Sequence, residues 1–166
     1  VACAGNFKDA GLEYTGALKV LQMIFSYEYL WIQLRVKGGA YGCMCSFSDQ
    51  GDSMFVTYRD PNLSESYKVY DEAADYVVDF DADDRDMKKY IIGTIGSMDM
   101  PMEAVDMGAR SFHAYFLGKT EADLQKVRDQ VLSCTQEDIR ALAPIVKAVV
   151  EAGNRCCIGN EEKIDQ

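Results

Sequence analysis

The sequence predicts an α+β fold in which one mainly antiparallel sheet carries several helices on one face. Residues 1–5 read as a short apolar strand, and residues 40–60 read as a β-hairpin. Most of the chain between residues 62 and 151 shows the apolar period of amphipathic helices. Because residues 155–158 then return as a strand, we expect strands from both ends of the chain to share one sheet.

A loop connects the first strand to a long helix, predicted from Thr15 to about Leu34. Its apolar residues recur at a helical spacing, which is typical of a helix with one buried stripe. We therefore expect this helix to pack on the sheet. The residues predicted to form the stripe are Val20, Ile24, Tyr27, Trp31 and Leu34.

The hairpin is predicted from two strand-like segments, residues 40–49 and 53–60, joined by Gln50-Gly51-Asp52. Pro61 ends the second strand, since proline cannot donate a ladder hydrogen bond. Asn62, with Glu65 three residues later, is then a predicted cap pair for the next helix. The expected apolar stripe of that helix is Tyr67, Tyr70, Ala74 and Val77.

Four further helices are predicted, at about residues 84–98, 101–117, 121–133 and 136–151. Thr120 and Thr135 each stand three residues before an aspartate, which marks two helix starts. Pro144 is expected to kink or split the last helix. The apolar stripes are Met87, Ile91 and Ile95; Val105, Gly108, Phe112 and Tyr115; Leu124, Val127 and Val131; and Ile139, Leu142, Val146 and Val149.

Composition indicates one globular domain. The 166 residues are 48% hydrophobic and 27% charged, without a linker or a repeat, and without an apolar run long enough to cross a bilayer. The chain starts with Val1 instead of methionine, so we expect it to be a fragment of a longer polypeptide.

Charge makes nucleic acid an improbable partner, because the net charge is −10 and phosphate binding needs clustered Lys and Arg. An acidic run extends from Asp71 to Asp86 with Arg85 as its only base. We interpret the run as a solvated helix face. The alternative is an acidic wall that attracts cationic peptides by long-range steering.

The cysteine and histidine content argues against a metal site. The six cysteines include no C-x-x-C pair, and Cys43 and Cys45 alternate within a predicted strand like small hydrophobes. Thiols in a chain with no signal segment indicate a reducing cytoplasmic location. His113 is the only histidine, so an H-x-x-E-H zinc motif is impossible in this chain, and we predict a packed or surface role for it.

The candidate site lies in residues 35–42, Arg-Val-Lys-Gly-Gly-Ala-Tyr-Gly. Three glycines allow a sharp turn, and the guanidinium of Arg35 and the phenol of Tyr41 flank it as strong hydrogen-bonding groups. Such a pair could grip a peptide carbonyl or an oxyanion. The alternative is that Tyr41 packs in the core and Arg35 caps the helix. A phosphate-binding loop is disfavoured, because those loops lead from strand to helix.

Three more segments accompany this motif: Tyr14 to Leu18, Tyr27 to Trp31, and Phe55 to Leu63. Together they closely resemble the C-terminal domain of the presequence-protease branch of the pitrilysin/insulinase zinc metallopeptidases. The resemblance implies a domain of the pitrilysin/mitochondrial-processing-peptidase-like fold. Residues 1–166 would then be a single C-terminal domain of a larger peptidase, lacking the zinc-binding domain.

The resemblance also implies a function. In this family an N-terminal half binds zinc and the C-terminal half closes over the peptide substrate. By resemblance, Tyr41 would stabilise the scissile carbonyl and Arg35 would hold a neighbouring one, while Gly38, Gly39 and Gly42 set the turn. The expected partners are a peptide and the N-terminal half, with no nucleic acid and no membrane. Zinc is expected in the full-length enzyme and none in this fragment, which is predicted to be inactive alone.

One alternative to substrate contact stays open. The chain could be a non-catalytic packing module of the same superfamily that never touches substrate. Exposure of Arg35 and Tyr41 toward one concave surface would favour substrate contact, whereas burial of Tyr41 would favour packing. For the nearby Tyr58-Arg59-Asp60-Pro61 segment we predict a structural role, with Arg59 and Asp60 pairing locally.

Overall fold

A computed structural model describes residues 1–164 of the chain. Its sheet is fully antiparallel with strand order β2-β3-β1-β4, so the first and last strands of the chain are neighbours, as expected. The strands are β1 (Ala2–Asn6), β2 (Gly42–Phe47), β3 (Asp52–Tyr58) and β4 (Asn154–Cys156). The predicted α+β class is confirmed.

The helices follow the predicted order closely. A 3₁₀ turn (Phe7–Ala10) precedes α1 (Ala17–Ile24), which continues as two π-helical segments, Phe25–Tyr29 and Trp31–Lys37. The remaining helices are α2 (Leu63–Asp71), α3 (Ala73–Val78), α4 (Asp84–Met98), α5 (Ala104–Phe116), α6 (Glu121–Leu132), α7 (Gln136–Arg140), α8 (Ala143–Glu151) and α9 (Glu161–Ile164).

One face of the sheet is covered by helices and the other is open. Along β3, Ser53, Phe55 and Thr57 are buried, whereas Met54 and Tyr58 between or beside them are exposed. This alternation follows from the two-residue period of a strand. Phe55 lies at the centre of the core. Its ring stacks on that of Tyr70 and meets the rings of Phe25 and Phe47 edge to face.

The first long helix forms where predicted, and Val20, Ile24 and Leu34 of its predicted stripe are buried, but the other two stripe residues are not. Tyr27 and Trp31, expected in the core, are 66% and 40% exposed. Beyond Ile24 the buried positions are Phe25, Tyr29, Leu30 and Leu34, which recur at spacings of four to five residues. This spacing follows from the i→i−5 hydrogen bonds of the π segments, which rotate the helix surface relative to an α-helix. A 3.6-residue period cannot anticipate that rotation.

Helix ends confirm some predictions and correct others. Thr120 and Thr135 both form complete capping boxes with the aspartate three residues later. The region of Pro144 splits the last predicted helix into α7 and α8, and Pro144 lies in the first turn of α8. Asn62, however, makes no side-chain cap; its amide instead donates to the carbonyl of Gly38, 2.5 Å away.

The apolar stripe of α5 also departs from expectation. None of its residues is buried, and Val105, Phe112 and Tyr115 are 66–80% exposed. His113 is likewise on the surface. The stripe predicted a helix correctly, but within residues 1–164 no element covers it.

The acidic run is partly neutralised by local partners. Arg155 pairs with Asp71, Lys89 with Asp86, and Arg140 with Asp81. These pairs have at least one partner largely in solvent, which agrees with a solvated helix face. No helix within residues 1–164 is long and apolar enough to cross a membrane.

Candidate functional site

The turn between the long helix and β2 is built as the glycines suggested. The amide of Gly39 donates to the Arg35 carbonyl at 3.1 Å, and the amide of Ala40 donates to the Leu34 carbonyl at 3.0 Å. Gly39 adopts φ +77°, the left-handed conformation that commonly ends a helix. At Gly38 a Cβ would lie 2.6 Å from the Leu34 carbonyl oxygen, so a side chain is excluded there.

Gly42 lies within the strand predicted for residues 40–49. It is the first residue of β2, has no positive φ, and has open space around the position of a Cβ. The turn therefore needs Gly38 and Gly39, whereas Gly42 is not required for its shape.

Arg35 and Tyr41 lie together on the surface. Nη1 of Arg35 donates to the backbone carbonyl of Tyr41, which ties the end of the helix to the start of β2. The guanidinium carbon stands 4.4 Å from the ring centroid of Trp31 and 5.7 Å from that of Tyr41. These distances are within the range of cation–π contact. Tyr41 is 62% exposed, so its ring is not a core residue.

A second arginine completes the cluster from the end of β3. The guanidinium of Arg59 lies 5.6 Å from the Tyr41 ring and 5.3 Å from the Tyr58 ring. The two tyrosine rings meet edge to face at 6.0 Å. We call this set, Trp31, Arg35, Tyr41, Tyr58 and Arg59, the arginine–aromatic cluster.

The residue after β3, Arg59, adopts an uncommon backbone conformation. Its φ is +49°, and among residues 1–164 it is the one non-glycine residue with a positive φ. That conformation costs an L-residue roughly 1–2 kcal/mol, so packing around it must compensate. The carbonyls of Arg59 and Tyr58 both accept from the amide of Tyr41, at 3.3 and 3.1 Å.

The expected Arg59–Asp60 pair does not form within the described chain. The carboxylate of Asp60 instead accepts from the backbone N–H of Asn62 at 2.9 Å and from the Ser66 hydroxyl. The structural role predicted for Asp60 therefore holds, but Arg59 belongs with the candidate site. The sequence did not identify Arg59 as part of this site, because no residue pattern shows that an arginine will adopt a positive φ.

The cluster offers polar groups to a ligand. Within residues 1–164 the Tyr41 phenol makes no hydrogen bond, and Arg35 uses one nitrogen of its guanidinium. The phenol and the remaining N–H groups can therefore donate to carbonyl oxygens. Nearby, burial raises the pKa of the Cys43 thiol, and the charge of Arg35 opposes that rise.

A concavity of about 540 Å³ adjoins the cluster on the open side of the sheet. Tyr58 and Arg59 line it together with Val56 of β3, Ala2 of β1 and the segment from Cys156 to Asn160. Arg35 and Tyr41 lie beside this concavity and do not line it. The structure thus brings the two predicted residues to one surface, and the shared cavity expected for them stays a prediction.

The described residues do not fit a zinc site. Between residues 1 and 164 no three His, Cys, Asp or Glu side chains come together as possible metal ligands. All six cysteines are free thiols. Burial raises the pKa of Cys45 and of Cys134 to about 12 each, which disfavours the thiolates that bind metals.

Fold and site together define an α+β domain with one open sheet face and an exposed arginine–aromatic cluster at its edge. The exposed guanidinium and phenol groups of this cluster are available as hydrogen-bond donors on the surface.

Comparison with known proteins specifies the family. Residues 1–160 match the family model described as "PreP C-terminal domain", and the chain belongs to that family. It is 42% identical to "Protein HypA" of Clostridium perfringens over its whole length, which is 17% of that protein. It is 34% identical to "Presequence protease 1, chloroplastic/mitochondrial" of Arabidopsis thaliana, covering 99% of the chain and 15% of the relative.

A third relative is the mitochondrial presequence protease of Aspergillus fumigatus, 34% identical over 88% of the chain and 13% of the relative. The resemblance to the presequence-protease branch is therefore confirmed. The chain spans about one sixth or less of the length of these relatives.

Proposed function

We propose that this chain is the non-zinc-binding C-terminal domain of a zinc-dependent oligopeptide-degrading endopeptidase. It closes the peptide chamber and contributes Arg35 and Tyr41 to the bound peptide. The single observation that carries the proposal is the exposed arginine–aromatic cluster, found in a chain of the PreP C-terminal domain family. Relatives named presequence proteases support the substrate class, a peptide, and the hydrolase activity of the longer protein.

The chemistry asked of Tyr41 is donation of one hydrogen bond. When water attacks a peptide carbonyl, its oxygen gains negative charge, and a fixed phenol O–H stabilises that charge more than it stabilises the neutral carbonyl. Closure of the domain over the peptide removes water and strengthens the bond. A zinc ion bound by the N-terminal half would supply the activated water.

Arg35 has a positioning task in this proposal. Its bond to the Tyr41 carbonyl and its stacking on Trp31 fix the planar guanidinium, leaving other N–H groups for a second peptide carbonyl. The guanidinium of Arg59 also lies 5.6 Å from the Tyr41 ring, so two cations contact this ring and help to hold the phenol in place.

Tyr41→Phe in the polypeptide that joins this chain to its zinc-binding half tests the proposal. Loss of one oxyanion donor lowers kcat by roughly a hundred- to thousandfold, or about 2.7–4 kcal/mol, with little change in folding. Arg35→Lys should weaken both substrate binding and turnover, since the planar fork is lost. Tyr115→Phe is the matched control, because Tyr115 is an exposed tyrosine on α5, outside the cluster.

The second candidate function is a packing module that never touches substrate. The uncovered apolar stripe of α5 favours it, because such a stripe suits contact with another domain. Steady-state kinetics and thermal unfolding separate the two candidates. Wild-type kcat in Tyr41→Phe, with intact folding, would assign the cluster to packing.

The cellular compartment is part of the proposal. Six free thiols suit a reducing compartment, and we propose the cytoplasm. The plant and fungal relatives carry organellar names, whereas the bacterial relative carries none. Fractionation of cells that express the tagged full-length protein would test this location.

A further inference from the structure

A second cavity lies on the side of the molecule where α1, α4, α5 and α6 meet the β2–β3 turn. Its volume is about 700 Å³, within the range of roughly 300–1,000 Å³ common for small-molecule sites. None of the residues in the arginine–aromatic cluster lines it. The proposed peptidase role therefore does not involve this cavity.

Positive charge gathers in this cavity although the chain as a whole carries −10. Lys19, Arg110 and Lys119 line it, and Asp49 is the one carboxylate among its lining residues. Lys119 pairs with Asp49, and both side chains are about one quarter to one third exposed. The cavity wall thus keeps two positive charges that no carboxylate of the wall neutralises.

Those two cations have weak partners or none in the described chain. Nη1 of Arg110 contacts the sulfur of Met102 at 3.9 Å, a poor acceptor for a guanidinium. Lys19 is partly buried, and within residues 1–164 its ammonium makes no hydrogen bond or ion pair. For Lys19, a charge held partly away from water without a paired anion costs free energy, whereas Arg110 is exposed.

The pKa shifts of Lys19 and Asp49 reflect the closeness of the charged groups in this cavity. Burial lowers the pKa of Lys19; Asp49 opposes this, while Lys119 and Arg110 lower the pKa further. Burial acts to raise the pKa of Asp49, but the hydrogen bond and charge of Lys119 bring it below its ordinary value. A bound anion would relieve the repulsion among the three cations.

The rest of the wall is mixed in character. Apolar surface comes from Met23 of α1, Met98 of α4, Leu124 and Val127 of α6, and Phe47, whereas Gln22, Ser26, Ser48, Thr94 and Ser97 contribute amide and hydroxyl groups. A ligand matched to this wall has an anionic head for the cations and an apolar body for the methionines and leucine. Inorganic phosphate would satisfy the first requirement alone.

We propose that this cavity binds a small organic anion, a phosphate or carboxylate attached to an apolar body, held by Lys19, Arg110 and Lys119. This site is separate from the arginine–aromatic cluster and does not depend on the peptidase role. Binding bridges α1, α5 and the α5–α6 turn, and so fastens α5 to the rest of the domain.

Calorimetric titration of the 166-residue chain at low ionic strength tests the proposal, because salt screens such contacts. The probes are phenyl phosphate, benzoate, inorganic phosphate and benzyl alcohol. We expect phenyl phosphate or benzoate to bind at least about tenfold more tightly than the head or the body alone, a difference of about 1.4 kcal/mol. The stronger of the two identifies the preferred head group.

Lys19→Met and Arg110→Met should each weaken that binding roughly tenfold, since each removes one charge-assisted contact. Lys147→Met is the control, because Lys147 is a surface lysine of α8 paired with Glu151. Circular dichroism checks that each variant folds. Equal affinity in Lys19→Met and Lys147→Met overturns the proposal, as does equal binding of benzyl alcohol and phenyl phosphate.

A protein partner is the competing occupant. A capped peptide with two glutamates, titrated in the same way, addresses it. If that peptide binds more tightly than every small anion and loses affinity in Lys19→Met, the small-molecule assignment is wrong and the cavity receives an acidic segment. Failure of Tyr41→Phe to affect peptidase kinetics would leave these titrations unchanged.

Discussion

Gly5→Ala is expected to destabilise the domain because β1 approaches α8 too closely for a side chain. A Cβ on Gly5 would lie 2.6 Å from the Val149 carbonyl oxygen and 2.8 Å from the Ala152 Cβ. Ordinary contact begins near 3.4 Å, so strand and helix must separate by about 0.8 Å, the difference between 3.4 and 2.6 Å. The Val149 carbonyl oxygen and the Val149 Cα, which would lie 2.9 Å away, are backbone atoms and cannot rotate away.

The magnitude follows from where the contact lies. β1 is an interior strand paired with β3 and β4, and α8 buries Val146, Val149 and Val150. Overpacking of such a core costs about 1–3 kcal/mol, partly offset by the lower chain entropy of unfolded alanine, about 0.4–1 kcal/mol. We expect a net loss of about 1 kcal/mol, or roughly 2–4 °C in Tm for a chain of this length.

Gly96→Ala is the matched control. Gly96 lies inside α4, is exposed, and has nothing within 4 Å of its Cβ position. The same substitution there should stabilise the domain by about 0.5–1 kcal/mol through helix propensity. Urea unfolding followed by far-UV circular dichroism measures both. Equal or greater stability of Gly5→Ala than wild type would refute the close-approach argument.

Two further predictions concern protons and metal. Burial raises the Cys45 pKa from 9.0 to about 12, so its contribution to stability is complete below pH 9 and is lost as the pH rises from 9 to about 12. Cys45→Ala should therefore flatten the alkaline fall in the free energy of unfolding, measured by urea titration at each pH; an unchanged slope would contradict this. The purified chain should bind no stoichiometric zinc and cleave no fluorogenic peptide, and chelator-sensitive turnover with one zinc per chain would show the reverse.

Local sequence signals decided most of the secondary structure. Strand alternation, the Gln50-Gly51-Asp52 turn and the capping boxes at Thr120 and Thr135 act over a few residues, so the sequence states them directly. The helix-ending turn at Gly38 and Gly39 belongs to the same group. The order of elements predicted that strands from both ends of the chain share one sheet, and the structure shows that these strands pair directly.

Other features arose only in the folded chain. The π-helical hydrogen bonds turned Tyr27 and Trp31 to the surface, and that exposure lets Trp31 stack on Arg35. Arg59 joins Tyr41 because a positive φ after β3 redirects its side chain, a result of packing that no residue pattern encodes. Lys19, Arg110 and Lys119, distant in sequence, meet in one cavity for the same reason. The sequence by itself determined most helices and strands, because these depend on neighbours along the chain. It also singled out Arg35 and Tyr41 as candidate site residues, through the glycine turn between them. The tertiary structure decided which side chains share a surface, because that depends on how far each helix is rotated where it packs.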